Sequence, residues 1–200
     1  LNPDKFDSQK IKISLGLGNN RVIMFMGTPR AHKGIDDLIQ AVEGLISSDL
    51  RLVFFGGESS FCSTRSKSSL IQERVVVFPK VPFEELPKYL SAADILVIPQ
   101  RDTTDTQGQS PAKLFDAMAM AKPIITTRVS DIPEVLGENG YLVEPGNPEE
   151  LGRTLQYVLD HPEEAQKRGL RARERCIEFY DIKVMKEKLE SLISGIIGST

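Results

Sequence analysis

Apolar positions along the chain fall into short blocks that alternate between two periods. Residues 21–27, 50–55, 74–78, 93–99 and 124–127 are compact apolar runs rich in β-branched and aromatic side chains, and Tyr141–Val143 is a shorter one. Each reads as a strand buried on both faces. Between them Ile35, Leu38, Ile39, Val42, Leu45 and Ile46 recur at helical spacing and predict a helix over 35–46. Further helices are predicted over 83–92 with Pro87 in the first turn, and over 148–161, 163–179 and 182–197. A short one is predicted within 7–17, closed by Gly16 or Gly18, and another within 128–137. The Ser-rich stretch 59–72 reads equally as helix or loop, and its part 59–69 is the one candidate insertion.

Strands that alternate with helices demand a parallel sheet with helices on both faces. Right-handed crossovers then make the expected fold a Rossmann-like, doubly wound α/β domain. It is expected to span residues 21–181. Residues 1–20 read as a linker or lead-in, and 182–200 as a C-terminal helix.

Composition narrows the function classes. The 200 residues are 40% hydrophobic and 26% charged, ordinary for a soluble globular domain. Net charge is −3 with no long basic block, so no nucleic-acid partner is expected. Apolar runs fall far short of the ~20 residues that span a bilayer. Leu1-Asn2-Pro3-Asp4 does not read as a leader, and a chain that does not begin with Met reads as a piece of something longer. Cys62 and Cys176 lack metal or redox spacing and are expected to be free thiols in a reducing compartment. With two histidines and those two scattered cysteines, no metal site is expected.

The most informative stretch is Ser110-Pro-Ala-Lys-Leu-Phe-Asp-Ala-Met-Ala-Met-Ala-Lys-Pro-Ile-Ile125. It reads as a helix with Ser110 as N-cap and Pro111 at its first position, stopped by Pro123, running into the strand 124–127. The loop 100–109 before it is polar throughout. A strand, a polar loop and a capped helix place free N–H groups at the carboxyl edge of the sheet, a ready anion site. The loop 27–34, Gly-Thr-Pro-Arg-Ala-His-Lys-Gly, is expected to meet it there. Gly27 permits close approach, Lys33 supplies a point charge and Arg30 a fork. Arg30 is equally read as a solvated loop charge, and Lys113, unfavourably placed against the helix dipole, as a solvated side chain. Asp116 is open between a solvated or locally paired carboxylate and an acceptor for hydroxyls of a ligand whose phosphate sits on the helix N-terminus. His32, Asp102 and Asp105 read as bystanders.

This stretch resembles the donor-site signature of retaining GT-B glycosyltransferases of family 4, also called group 1. Gly27…Lys33-Gly34 resembles that family's glycine-rich first loop, residues 77–90 its base-binding strand and helix, and Gly140-Tyr-Leu-Val-Glu-Pro-Gly146 its late strand and turn. The resemblance covers nearly the whole chain and implies the C-terminal, donor-binding half of a GT-B enzyme. Lys33 and Arg30 would neutralise the leaving diphosphate, although the family's usual Arg position is Thr28 here. Asp116 would hold the ribose hydroxyls, where Glu is usual. The backbone at Lys80 and Val81 would read the base. Gly108 replaces the acid that normally contacts the sugar, so amides of Gly108, Gln109 and Ser110, continuing into Pro111, Ala112 and Lys113, would take its place. The donor would be a UDP- or GDP-linked sugar, with no cofactor or metal. The acceptor would be a glycan or lipid-linked glycan held by an N-terminal domain, against which the last helix would pack if not against its own domain. The implied setting is cytoplasmic, at the inner membrane face in the full-length protein. Two other readings stay open: a non-catalytic nucleotide-binding module, and a GT-B-like nucleotide-sugar epimerase.

Overall fold

A computed structural model describes residues 1–47, 49–57 and 68–197. Cys62 and most of the undecided stretch 59–72 lie outside the described residues. Among the described residues six strands form one sheet: β1 (Arg21–Met26), β2 (Leu50–Phe55), β3 (Val75–Phe78), β4 (Ile95–Ile98), β5 (Ile124–Thr127) and β6 (Tyr141–Val143). Their order is β3-β2-β1-β4-β5-β6, and every pairing is parallel. The expected Rossmann-like class is therefore present, with the order reversing between β1 and β4, where crossovers leave in opposite directions and open a crevice.

Strand period sorts the core into two layers. From β1, Ile23 and Phe25 face one side while Val22 and Met24 face the other. The first side is covered by α2 (Ile35–Glu43) and α7 (Pro148–Asp160), through Ile35, Leu38, Val42, Leu155 and Val158. The second is covered by α5 (Ala112–Ala119), α6 (Ile132–Leu136) and α8 (Pro162–Tyr180), through Leu114, Met118, Leu136 and Ala172. Strands covered on both faces need continuous apolar runs, which is the pattern the sequence carries.

Several boundaries differ from expectation. Helix α2 stops at Glu43 because Gly44 caps it, which leaves Leu45 buried but Ile46 at 95% exposure. The helix expected over 83–92 splits into a 3₁₀ turn, Phe83–Glu85, and α4 (Leu86–Ser91), with Pro87 tolerated in the first turn. A short helix, α3 (Ser69–Arg74), precedes β3. The lead-in carries α1 (Ser8–Ser14) and packs on the second core layer through Phe6, Ile11, Leu15 and fully buried Leu17. Lys12, itself buried, reaches 2.5 Å to Asp94, whose carboxylate also accepts from the Val22 amide. The last helix, α9 (Ile182–Ile197), meets α8 and leaves Ile182, Met185, Leu189 and Leu192 exposed.

Both ends of α5 correct the expectation. Pro111, not Ser110, occupies the N-cap position, and no side chain caps the helix. Pro111 has extended ψ, near 120°, so helical geometry begins only at Ala112 and the Ser110 hydroxyl lies one residue too early. At the other end Ala121 adopts φ +53°, and the helix closes before Pro123. Lys122 N–H bonds Ala117 O and Ala121 N–H bonds Met118 O, the Schellman arrangement in which glycine usually takes the left-handed place. Ala121→Gly should therefore stabilise the fold by about 0.5–1 kcal/mol, since a left-handed Cβ costs ~1–2 kcal/mol and glycine gives back part in chain entropy. Denaturant midpoints with an unchanged slope would measure it; a lower midpoint would mean that the methyl packing outweighs the strain.

Candidate functional site

The crevice between β1 and β4 is floored by Gly27, which follows β1 with φ +119°. A Cβ there would lie 3.9 Å from Lys33 Nζ and 4.0 Å from Lys113 Nζ. Two ammonium groups from loops 80 positions apart thus converge over a glycine that leaves the space beside them open. Lys33 ends the 3₁₀ turn Ala31–Lys33 before α2. Lys113 lies in the first turn of α5, its Nζ 4.2 Å from the Phe25 ring centroid.

The charges on these groups act against one another. Burial, then the charge of Lys33, lowers the Lys113 pKa to about 7. Burial, then the charge of Arg30, lowers that of Lys33. Among the described residues neither ammonium is relieved by a carboxylate. Beside them the N–H groups of Ala112 and Lys113 open an uncapped helix. A cluster of mutually repelling cations at such a terminus suits an anion carrying more than one charge.

Asp116 stands one turn further on, half-buried, on the same face of α5 as Lys113. Burial raises its carboxyl pKa. Measured from Pro111 it lies about 7.5 Å along the axis at ~1.5 Å per residue, the reach from a diphosphate to an adjoining ribose. Gly108 has φ +74° in open space, and Gln109, Ser110 and Ala112 are exposed around it. Lys80 is exposed beyond β3, while Val81 packs against the second core layer. Arg30 is exposed and acts on Lys33 through its charge. Gly27, Lys33 and Lys113 are thus brought together, with Asp116 a turn beyond.

An ion pair that the sequence did not reveal, with Asp37 buried and Arg101 partly exposed, joins the two loops. Arg101 donates through Nη2 and Nε to both Asp37 oxygens, at 2.6 and 2.8 Å. The Arg101 amide donates to His32 O at 2.9 Å, and buried Thr106 donates to Arg101 O at 2.6 Å. His32 Nδ1 lies 3.7 Å from Asp105. Residues 64 apart in sequence leave no local pattern.

Cavities also lie elsewhere. One of about 760 Å³ flanks the unpaired edge of β6, lined by Arg128, Arg168 and Arg171 among others. Charges along a short edge strand are the ordinary protection against strand pairing. Among the described residues no His, Cys, Asp and Glu group is placed to hold a metal, and no helix is long and apolar enough to cross a membrane.

A parallel sheet reversing at β1/β4, with a cationic crevice at its carboxyl edge, is a doubly wound α/β domain with its crevice where such sheets take ligands. Residues 20–161 match the family model described as glycosyl transferases group 1, and the chain belongs to that family. Among its relatives is the N-acetyl-alpha-D-glucosaminyl L-malate synthase of Bacillus anthracis, 25% identical over 199 residues, covering 96% of this chain and 50% of that protein. Among solved structures, Anabaena HepE in complex with UDP-glucose superposes with TM-score 0.81 at 17% identity, over 98% of this chain and 54% of that one. The C-terminal domain of a group 1 family protein, LpcC from Francisella tularensis, superposes with TM-score 0.71 at 21% identity, over 91% of this chain and 99% of that one. The chain spans about half the length of the first curated relatives it matches.

The crevice depends on close backbone approach. Gly34 has φ +65°, and a Cβ there would lie 1.7 Å from the Pro99 carbonyl oxygen. Gly34→Ala should cost at least ~2 kcal/mol, left-handed strain plus a backbone collision. Thermal unfolding tests this; a melting temperature equal to the parent's would mean that the two loops do not touch as described.

Proposed function

We propose that this chain is the donor-binding domain of a retaining, metal-independent glycosyltransferase that uses a nucleotide-diphospho-sugar. The observation that carries the reading is the convergence of Lys33 and Lys113 over Gly27, beside the open N-terminus of α5. Lys33, Lys113 and Arg30 hold the diphosphate together with the Ala112 and Lys113 amides. Asp116 accepts from the ribose hydroxyls. The backbone at Lys80 and Val81 meets the base, and amides of Gly108, Gln109 and Ser110 meet the sugar. Membership in the group 1 family and the UDP-glucose bound by HepE support a nucleotide-sugar as the ligand.

The chemistry follows from charge. As the bond from the anomeric carbon to the diphosphate oxygen breaks, negative charge grows on the departing diphosphate. Fixed cations and N–H dipoles stabilise that charge in the transition state. The acceptor hydroxyl then bonds the anomeric carbon from the same face, and its proton passes to the departing diphosphate oxygen. A further domain holds the acceptor, in keeping with the half of its relatives that this chain spans. The setting is the cytoplasm, at the inner membrane face where the acceptor is lipid-linked.

Calorimetric titration with UDP and GDP in EDTA should show saturable binding of one of them. Asp116→Asn should weaken it by about 1–3 kcal/mol, the usual loss of a charged hydrogen-bond acceptor. No binding of either nucleotide overturns the reading, and unchanged affinity in the variant removes the role of Asp116.

The pH dependence has a definite sign. Below pH 7 Lys113 is already charged, so binding needs no added proton there. Above it an anion must first recharge Lys113, so affinity falls as pH rises, by up to about tenfold per unit. At pH 8 the heat of binding should change with the ionisation enthalpy of the buffer, reporting proton uptake. A buffer-independent heat at pH 8 would mean that Lys113 is not at the anion.

A further inference from the structure

We infer that the bidentate Asp37–Arg101 pair is the clasp that sets the spacing of Lys33 and Lys113, which makes both residues positioning residues for a diphosphate. The inference rests on the donor-site reading above for its ligand, though not for its geometry.

The placement of the two residues is the argument. Asp37 stands in the first turn of α2, four residues after Lys33. Arg101 follows β4 and begins the loop that ends at α5 and Lys113. Their two parallel bonds, at 2.6 and 2.8 Å, join the element behind one lysine to the loop behind the other. The Arg101 amide bonds the His32 carbonyl, the residue just before Lys33. Thr106 closes the Arg101 loop on itself, through the Arg101 carbonyl and the Thr103 amide. Between these bonds and the Gly34–Pro99 contact, the two loops have no slack at their bases.

Charge shows why slack would matter. Lys33 acts on Lys113, and Arg30 acts on Lys33, each raising the cost of the other's charge. Unopposed and without a ligand, this repulsion would drive the loops apart. The clasp opposes it with a carboxylate whose side chain is only 8% exposed, held by a guanidinium that is 42% exposed. An ion pair with one partly exposed partner contributes little net stability, so geometry is the better account of this one. A bidentate guanidinium fixes both distance and plane, which a lysine ammonium does not. Asp36 also bears on Arg101 through its charge.

The fold supplies its own control. Lys12 and Asp94 form another ion pair with one nearly buried partner, at the opposite end of the strands, where it ties the lead-in to β1. It touches neither loop of the crevice. Loss of that pair tests stability alone.

The experiment uses the full chain without nucleotide, with lysine side chains labelled, and follows the Lys113 ammonium by NMR through pH. The parent should titrate near pH 7. Arg101→Lys and Asp37→Asn should move the midpoint up by about 0.5 units or more as the lysines separate, and weaken pyrophosphate binding about fivefold or more. The paired change Asp37→Leu with Arg101→Met leaves no unpaired buried charge and should do the same in a folded chain. Asp94→Asn should leave both readouts where they are. A folded Arg101→Lys protein with the parent's Lys113 midpoint overturns the clasp, as does an equal shift in Asp94→Asn. A moved midpoint in a chain that binds neither UDP nor GDP keeps the clasp and removes the donor reading. Nucleotide binding indifferent to Arg101→Lys, with an unmoved midpoint, does the reverse.

Discussion

Two lysine ammonium groups held together over a glycine are the constraint on which the rest of this structure bears. Like charges at a partly buried place are unfavourable, as the lowered pKa of Lys113 reports. The fold accepts the cost because the sheet order reverses between β1 and β4. There the connections leave in opposite directions, and a crevice opens that no side chain of Gly27 fills. A multiply charged anion would turn the repulsion into attraction at no further cost in chain order, since both loops are already in place.

Much of the architecture can be understood as support for that point. The continuous apolar strands are buried by helices on both faces, so the carboxyl edge is a rigid rim. Thr126 and Thr127 on β5 donate to the carbonyls of Ile98 and Gln100, fixing where the second loop leaves β4. Gly34 lets α2 begin against Pro99. Helix α5 opens without a side-chain cap, leaving its first N–H groups to whatever lies in the crevice. Its far end is closed tightly by Ala121, against which Gly169 of α8 packs so closely that a Cβ would collide with the Ala121 carbonyl.

The fold was legible in the sequence because its signals are local. Apolar runs and helical stripes lie within windows of three to nineteen residues, and their alternation leaves one class of architecture. The chain's likeness to the group 1 signature around Lys113 and Asp116 was legible for the same reason, a contiguous motif. What escaped was of two kinds. Local geometry with two near-equal solutions went the other way: Pro111 took an extended ψ, so Ser110 lost the cap, and Ala121 took the left-handed place usually given to glycine. Long-range pairs had no signature at all. Asp37 with Arg101 and Lys12 with Asp94 join segments 64 and 82 residues apart, and only the folded chain brings them together.

The most direct test of the account is a crystal structure of the chain with bound nucleoside diphosphate. The account predicts diphosphate oxygens about 3 Å from Lys33 Nζ, Lys113 Nζ and the first amides of α5, with the ribose toward Asp116. A nucleotide seated elsewhere, for instance against Arg128, Arg168 and Arg171 beside β6, with the lysine pair unoccupied, would contradict it.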